Sequence, residues 1–246
     1  MFGVAKLYSA MAFAETNRLF DRLEQIYALL PETGCKMCGT CCTDPPPAAL
    51  IEYLNIYRYI RDHLQARQQE LLEKTVAFFY LELVEPEQRC PFLDESNLCL
   101  IYPVRPFACR VYGLLSDDKA PLRRDGEALV QLAEKYRDEY GIVLPEAVVK
   151  REIPPCRDIE VTKGKKLSAR KAESFLTALL MLDAQIVNPE LVLERLTMLP
   201  VPLHLAITVL NDGLRARRLE VMKAYLETGS RALVDKYSRR VAGFRF

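Results

Sequence analysis

The chain has 246 residues and half of them are hydrophobic, which is enough for a sizeable core without disulfide support. Its 34 basic and 33 acidic residues nearly cancel, which argues against a chain-wide surface for nucleic-acid phosphates. No apolar stretch reaches the roughly 18–20 residues that a membrane-spanning helix needs, so we expect no membrane partner.

Helical periodicity recurs along most of the chain and predicts a mainly α fold. The apolar run near the N-terminus has no basic region before it, so we interpret it as helix rather than as a signal peptide. We therefore expect a cytoplasmic protein, in which cysteines serve as metal ligands or reactive thiols rather than disulfides. The predicted helices cover residues 4–30, 48–66, 67–84, about 126–140, 168–186, 189–198, 201–226 and 229–240.

A small irregular cysteine-rich subdomain is expected between these helices. Asp94 to Asn97 indicates a turn between two short apolar runs and predicts one short hairpin. Arg105-Pro106 begins a helical turn that carries Cys109. Residues 116–126 and Thr162 to Lys166 are polar and predicted to be loops.

The chain changes character near residue 165, after which no cysteine occurs. We place a soft domain boundary there. Residues 1–165 form the cysteine-bearing metal-binding region with its supporting helices, and residues 166–246 form a helical region. One compact domain is the alternative. The C-terminal helices are the expected surface for a protein partner.

All eight cysteines are candidate metal ligands, because seven of them fall in two short stretches. A Cys-x-x-Cys turn brings two thiolates within reach of one ion, and two such turns overlap in residues 35–41. The same run has the spacing of ferredoxin-type clusters, although all-thiolate sites also suit zinc. We expect iron as an iron–sulfur cluster first, and zinc second. The candidate ligands are Cys35, Cys38, Cys41, Cys42, Cys90, Cys99, Cys109 and Cys156.

The spacing leaves the third ligand of the first stretch open. In a helix Cys35, Cys38 and Cys42 would share a face, whereas in an extended turn Cys41 would converge with the first two. The other cysteine would bind a second metal, act as a reactive thiol or be buried.

Two other residue types bear on the site. Arg105 and Arg110 flank Cys109, where a guanidinium either balances thiolate charge or pairs with Asp94 or Glu95 to fix the hairpin. The only two histidines, His63 and His204, are distant from the cysteines in sequence. His204 is interpreted as a core residue, so a histidine-rich catalytic zinc site is not expected.

The cysteine motifs resemble the YkgJ-type cysteine-cluster family of zinc- or iron-chelating proteins. The resemblance rests on Cys35-Lys-Met-Cys38-Gly-Thr-Cys41-Cys42, on Cys90-Pro-Phe-Leu93, and on the run from Cys99 to Arg110. Flagellin-lysine N-methylases carry a similar cluster, and the resemblance to them implies an iron–sulfur centre used with S-adenosylmethionine.

The lead hypothesis is a protein that chelates iron or zinc through the cysteine cluster. An iron–sulfur-dependent methylase-like or redox enzyme is one alternative. A structural zinc adaptor with a helical partner-binding region is the other.

Overall fold

The computed structural model describes residues 4–115, 126–154, 156, 158–186 and 199–246 of the chain. The predicted mainly α class is confirmed over these ranges, whose β structure consists of two short two-stranded sheets. No helix in the described ranges combines the length and the apolarity that a membrane span requires.

The first predicted helix is two helices. α1 spans Val4–Thr16 and α2 spans Leu19–Ala28. Between them Arg18 has a left-handed backbone conformation with φ of 54°, which an α-helix cannot continue. The prediction of a single helix over residues 4–30 is therefore wrong. The apolar period hides the break because both helices contribute buried side chains to the same core.

The next two helices lie close to their predicted positions. α3 spans Leu50–His63 and α4 spans Gln68–Leu81, with a 3₁₀ turn at Gln65–Arg67 between them. α4 buries eight of its 14 residues, so it is a core helix. It contacts the helices that follow residue 200, which places the C-terminal part against the N-terminal part.

Short helices follow in the middle of the chain. Pro106 precedes α5 (Phe107–Arg110), which confirms the predicted turn that carries Cys109. α6 spans Gly126–Tyr140, as predicted, and α7 spans Glu146–Val149. The loop predicted over 116–126 lies almost wholly outside the described residues.

The long helix predicted over 201–226 is wrong, because Asn211 interrupts it. The Asn211 side chain accepts a hydrogen bond from the Leu214 N–H at 2.9 Å and caps a new helix. The prediction for 189–198 falls outside the described residues. The C-terminal helices are α8 (Ala169–Ile186), α9 (Val201–Val209), α10 (Asp212–Arg215), α11 (Arg218–Thr228) and α12 (Ala232–Val241).

The buried core contains residues from both sides of the predicted boundary near 165, among them Leu54, Leu179 and Met222. Helix α4 contacts α9, α11 and α12. Arg218 donates a 2.8 Å hydrogen bond to the buried Glu82 carboxylate across the same contact. The division into 1–165 and 166–246 stays a prediction.

Two small antiparallel sheets join distant parts of the chain. The strands are β1 (Glu32–Gly34), β2 (Pro47–Ala48), β3 (Glu160–Lys163) and β4 (Leu199–Pro200). β1 pairs with β3, and β2 pairs with β4. The prediction of a loop over Thr162 to Lys166 is therefore wrong at its start, since Thr162 and Lys163 lie in β3. Both ends of the first cysteine stretch are thus fixed by strand pairing.

A buried carboxylate from α8 caps α3. Both oxygens of Asp183 accept hydrogen bonds, from the Leu50 N–H and the Ile51 N–H at 2.8 Å each. These are donors that a helix start leaves without an intrahelical partner. Burial raises the pKa of Asp183 to about 7, although the two N–H groups act to lower it.

We expect this carboxyl group to make stability depend on pH. The folded chain binds the proton more tightly than the unfolded chain, so this group lowers the free energy of unfolding as pH rises from about 4 to about 7. Asp183→Asn should flatten that dependence in urea unfolding measured across this range. Asp183→Ala should lower the free energy of unfolding by about 1–3 kcal/mol, because two buried donors lose their acceptor. An Asn variant that keeps the wild-type slope would contradict this assignment.

Candidate metal centre

The first cysteine stretch crosses from β1 to β2 as an irregular turn. Met37 and Gly39 have positive φ values of 52° and 74°, so residues 35–39 cannot form an α-helix. A 3₁₀ turn over Thr40–Thr43 then carries Cys41 and Cys42. Of the two conformations considered from the sequence, the helical one is thereby excluded.

The second cysteine stretch is the predicted hairpin, reduced to a single bridge between Leu93 and Cys99. Asp94 Oδ1 accepts the N–H groups of Ser96 and Leu98 at 2.8 Å each, which fixes the turn. The Cys90 N–H donates to the Cys42 carbonyl at 2.8 Å. This last bond joins the two cysteine stretches directly.

A buried carboxylate positions the helix that carries Cys109. Glu52 is 3% exposed and accepts hydrogen bonds from the Tyr27 hydroxyl, the Ala49 N–H at 2.8 Å and the Phe107 N–H at 2.5 Å. Burial raises the pKa of Glu52, and these three hydrogen bonds oppose that effect. Since Phe107 begins α5, the orientation of Cys109 depends on Glu52.

Cys156 lies in the same part of the structure as the other cysteines, although it comes from a later segment of the chain. The Tyr112 hydroxyl donates to the Pro154 carbonyl and brings that segment close. Gly113 has φ of 80°, and a Cβ atom there would lie 2.7 Å from Cys156 Cβ. Only glycine permits this approach.

All eight predicted cysteines line one cleft of about 370 Å³. Cys38 is exposed, and the other seven are half-buried. Neither His63 nor His204 lines the cleft. His204 is instead buried and stacks on Tyr53, with ring centres 4.9 Å apart. The remaining lining is largely apolar and includes Pro46, Phe92 and Val201.

Burial keeps the deeper thiols protonated when no cation is near. It raises the pKa of Cys90 to about 12 and is also the largest cause of the raised pKa values of Cys99 and Cys109. Hydrogen bonding to Cys41, followed by burial, raises the pKa of Cys42. Metal binding must therefore displace protons from these thiols.

Cys41 contributes to the raised pKa values of several other cysteines. Its charge raises the pKa values of five other cysteines, which span all three parts of the site: Cys42, Cys90, Cys99, Cys109 and Cys156.

Arginines fix the backbone of the cleft, which the sequence did not indicate. Arg89 donates to the Gly39 carbonyl at 3.1 Å and to Asn97 Oδ1 at 2.7 Å. Arg151 donates to the Thr43 carbonyl at 2.8 Å and to the Pro86 carbonyl at 2.8 Å. No local sequence pattern indicates this role for either arginine. The bonds to Gly39 and Thr43 join the first cysteine stretch to segments distant in sequence.

The two arginines that flank Cys109 have different roles. Arg110 donates to the carbonyls of Arg105 and Pro103 at 2.8 and 2.6 Å, and its guanidinium lies over the Tyr27 ring. Arg105 lines the cleft, and its guanidinium lies over the Tyr102 ring. Among the described residues neither arginine forms the predicted ion pair with Asp94 or Glu95, and the Asp94 carboxylate accepts the N–H groups of its own turn.

The donor chemistry of the cleft fits zinc or iron, since soft thiolates suit both. Within the described ranges, however, no three Cys, His, Asp or Glu side chains are already arranged to bind one ion. The thiols therefore share a cleft rather than a closed coordination shell. Which of the eight ligate a metal stays a prediction.

The fold and the cleft define a mainly α-helical protein with a multi-thiol site of the metal-chelating class. Residues 34–127 match the model of the CxxCxxCC family, described as "Putative zinc- or iron-chelating domain". The motifs predicted this match, and the family's description supports metal binding as the general function of the segment. No curated protein and no solved structure matches the chain.

The irregular turn of the first cysteine stretch allows Cys41 to be tested against Cys42. We expect Cys41→Ser to lower the bound zinc or iron per chain more than Cys42→Ser does, because residues 35–39 are not helical and the third ligand in an extended turn is Cys41. Metal analysis of both variants, purified side by side without air, measures the difference. Equal losses, or a larger loss in Cys42→Ser, would contradict it.

Proposed function

We propose that the eight-cysteine cleft chelates iron as an iron–sulfur cluster, with zinc as the alternative ion. The main observation in support of this proposal is that eight thiols, and no imidazole, line one cleft of about 370 Å³. A single zinc ion needs four ligands about 2.3 Å away, so it would use a small part of this space. A cluster of several irons and sulfides uses more of it. Electron transfer is the chemistry that such a cluster supplies when bound.

The protein's part is to present thiols from segments far apart in sequence. Strand pairing of β1 and β2 fixes the ends of the first stretch, and the bond from Cys90 to Cys42 aligns the second. Glu52 orients the helix of Cys109, and the Gly113 approach admits Cys156. These contacts hold the backbone of the cleft and do not involve the sulfur atoms.

This arrangement favours a metal-handling site over a structural zinc clip. In a zinc finger the metal supplies the folding energy, and the metal-free chain is unfolded. Here the cysteine stretches are joined by hydrogen bonds from Arg89, Arg151 and Cys90, and they rest on a large hydrophobic core. The cleft therefore has a source of stability other than metal.

The first test is the composition of protein purified without air. We expect iron and acid-labile sulfide in stoichiometric amounts, with broad visible absorption, because thiolate-bound clusters absorb there through sulfur-to-iron charge transfer. Colourless protein with tightly bound zinc would overturn the preference for iron. Protein with neither metal would overturn the proposal itself.

The second test is the structure of metal-free protein. We expect chelator-treated, reduced protein to keep its helical circular-dichroism signal and a cooperative thermal transition, because the core and the backbone hydrogen bonds remain. Rebinding of zinc or iron should then restore the metal content. Collapse of the helical signal on metal removal would instead identify a structural site.

A further inference from the structure

Arg105 is a cation in the cleft without a charged partner. Its strongest described contacts are a guanidinium position 4.1 Å above the Tyr102 ring and a hydrogen bond of 3.4 Å from Nη2 to Thr33 Oγ1. No ion pair within the described residues includes it. The Nε atom is buried and has no hydrogen-bond partner among those residues. A buried donor of this kind is costly unless some group accepts a hydrogen bond from it.

The other arginines around the site are fully engaged. Arg110, Arg89 and Arg151 each donate to two acceptors, most of them backbone carbonyls. Arg110 even binds the carbonyl of Arg105, so it positions the Arg105 backbone. None of the three lines the cleft, whereas Arg105 does. Among these four arginines, the unpartnered donor therefore belongs to the one that lines the cleft.

Arg105 lines the same cleft as the eight cysteines, whose sulfurs would become charged acceptors when a metal displaced their protons. Several thiolates around a divalent ion leave net negative charge, and hydrogen bonds to charged acceptors are the stronger ones. A guanidinium that lines the same cleft offsets that charge.

We propose that Arg105 is a positioning residue for the metal centre, which donates from its guanidinium to the metal-bound thiolates and balances their charge. The inference rests on the proposed metal-binding function and adds a residue outside the cysteine set. Its stacking on Tyr102 sets the plane of the guanidinium without consuming the Nε donor.

The test compares three variants. Arg105→Gln removes the charge, and Arg105→Lys keeps it. Arg58→Gln is the matched control, because Arg58 also lies 4.1 Å above an aromatic ring, that of Phe20, but does not line the cleft. The probe is zinc alone, with its dissociation constant measured by competition with a chelator at fixed pH. Thermal unfolding is followed for each variant with and without zinc.

We expect Arg105→Gln to weaken zinc binding about 10- to 100-fold, which is the usual effect of losing a partner of a metal ligand. Arg105→Lys should recover most of the affinity, and Arg58→Gln should bind as the wild type does. The zinc-free Tm of Arg105→Gln should fall no further than that of Arg58→Gln, because each variant loses one ring contact and the Nε donor of Arg105 has no partner in that state. A structural role would lower the zinc-free Tm of Arg105→Gln well below that of the control.

Wild-type affinity in Arg105→Gln would overturn the inference alone, as would equal weakening in the Gln and Lys variants. A fall in the zinc-free Tm as large as that of the zinc-bound protein would also overturn it. Wild-type protein that takes up neither zinc nor iron would overturn the proposed function and, with it, the role of Arg105. Metal uptake by the wild-type protein therefore distinguishes a failure of the Arg105 inference from a failure of the proposed function.

Discussion

The site depends most on the buried carboxylate of Glu52. Its three donors come from the end of α2, from the residue before α3 and from the first residue of α5. The first cysteine stretch lies between Tyr27 and Ala49, and Cys109 lies two residues after Phe107. One carboxylate thus ties both flanks of one cysteine stretch to the helix that carries another. Without it, three groups would each lose a buried acceptor, at about 1–3 kcal/mol apiece.

Backbone bonds, rather than cysteine side chains, assemble the rest. The strand pairs place the ends of the first stretch against segments more than 100 residues away, and Arg89 and Arg151 bind carbonyls within it. In a protein held together by disulfides or by a single closed metal shell, the cysteine sulfurs would themselves stabilise the fold. Here none of the eight described cysteines forms a disulfide. The hydrogen bonds and strand pairs that hold the cleft together therefore use groups other than the sulfurs.

Local patterns predicted the helices and the cysteine cluster, and they failed where long-range contacts decide. The turns at Asp94 and Pro106 were predictable, because their chemistry is contained within a few residues. The breaks at Arg18 and Asn211 were missed, since the apolar period continues across both. The choice between helix and extended turn at residues 35–42 depends on Met37 taking positive φ, which its side chain does not signal. Strand β3 and the arginine bridges depend on partners far away in sequence, so no local pattern could indicate them.

The cleft also gathers groups whose chemistry a bound metal would change. Burial disfavours the ionised forms of the Cys90 and Cys109 thiols, and the Nε of Arg105 is buried without an acceptor among the described residues. Protonated thiols are tolerated in apolar surroundings, whereas a buried donor without an acceptor is costly. A divalent cation in the cleft would stabilise thiolates, and a thiolate within reach of Arg105 would accept a hydrogen bond from its guanidinium. Binding a metal would therefore give the unpaired donor an acceptor, and this is the physical reason to place the proposed function there.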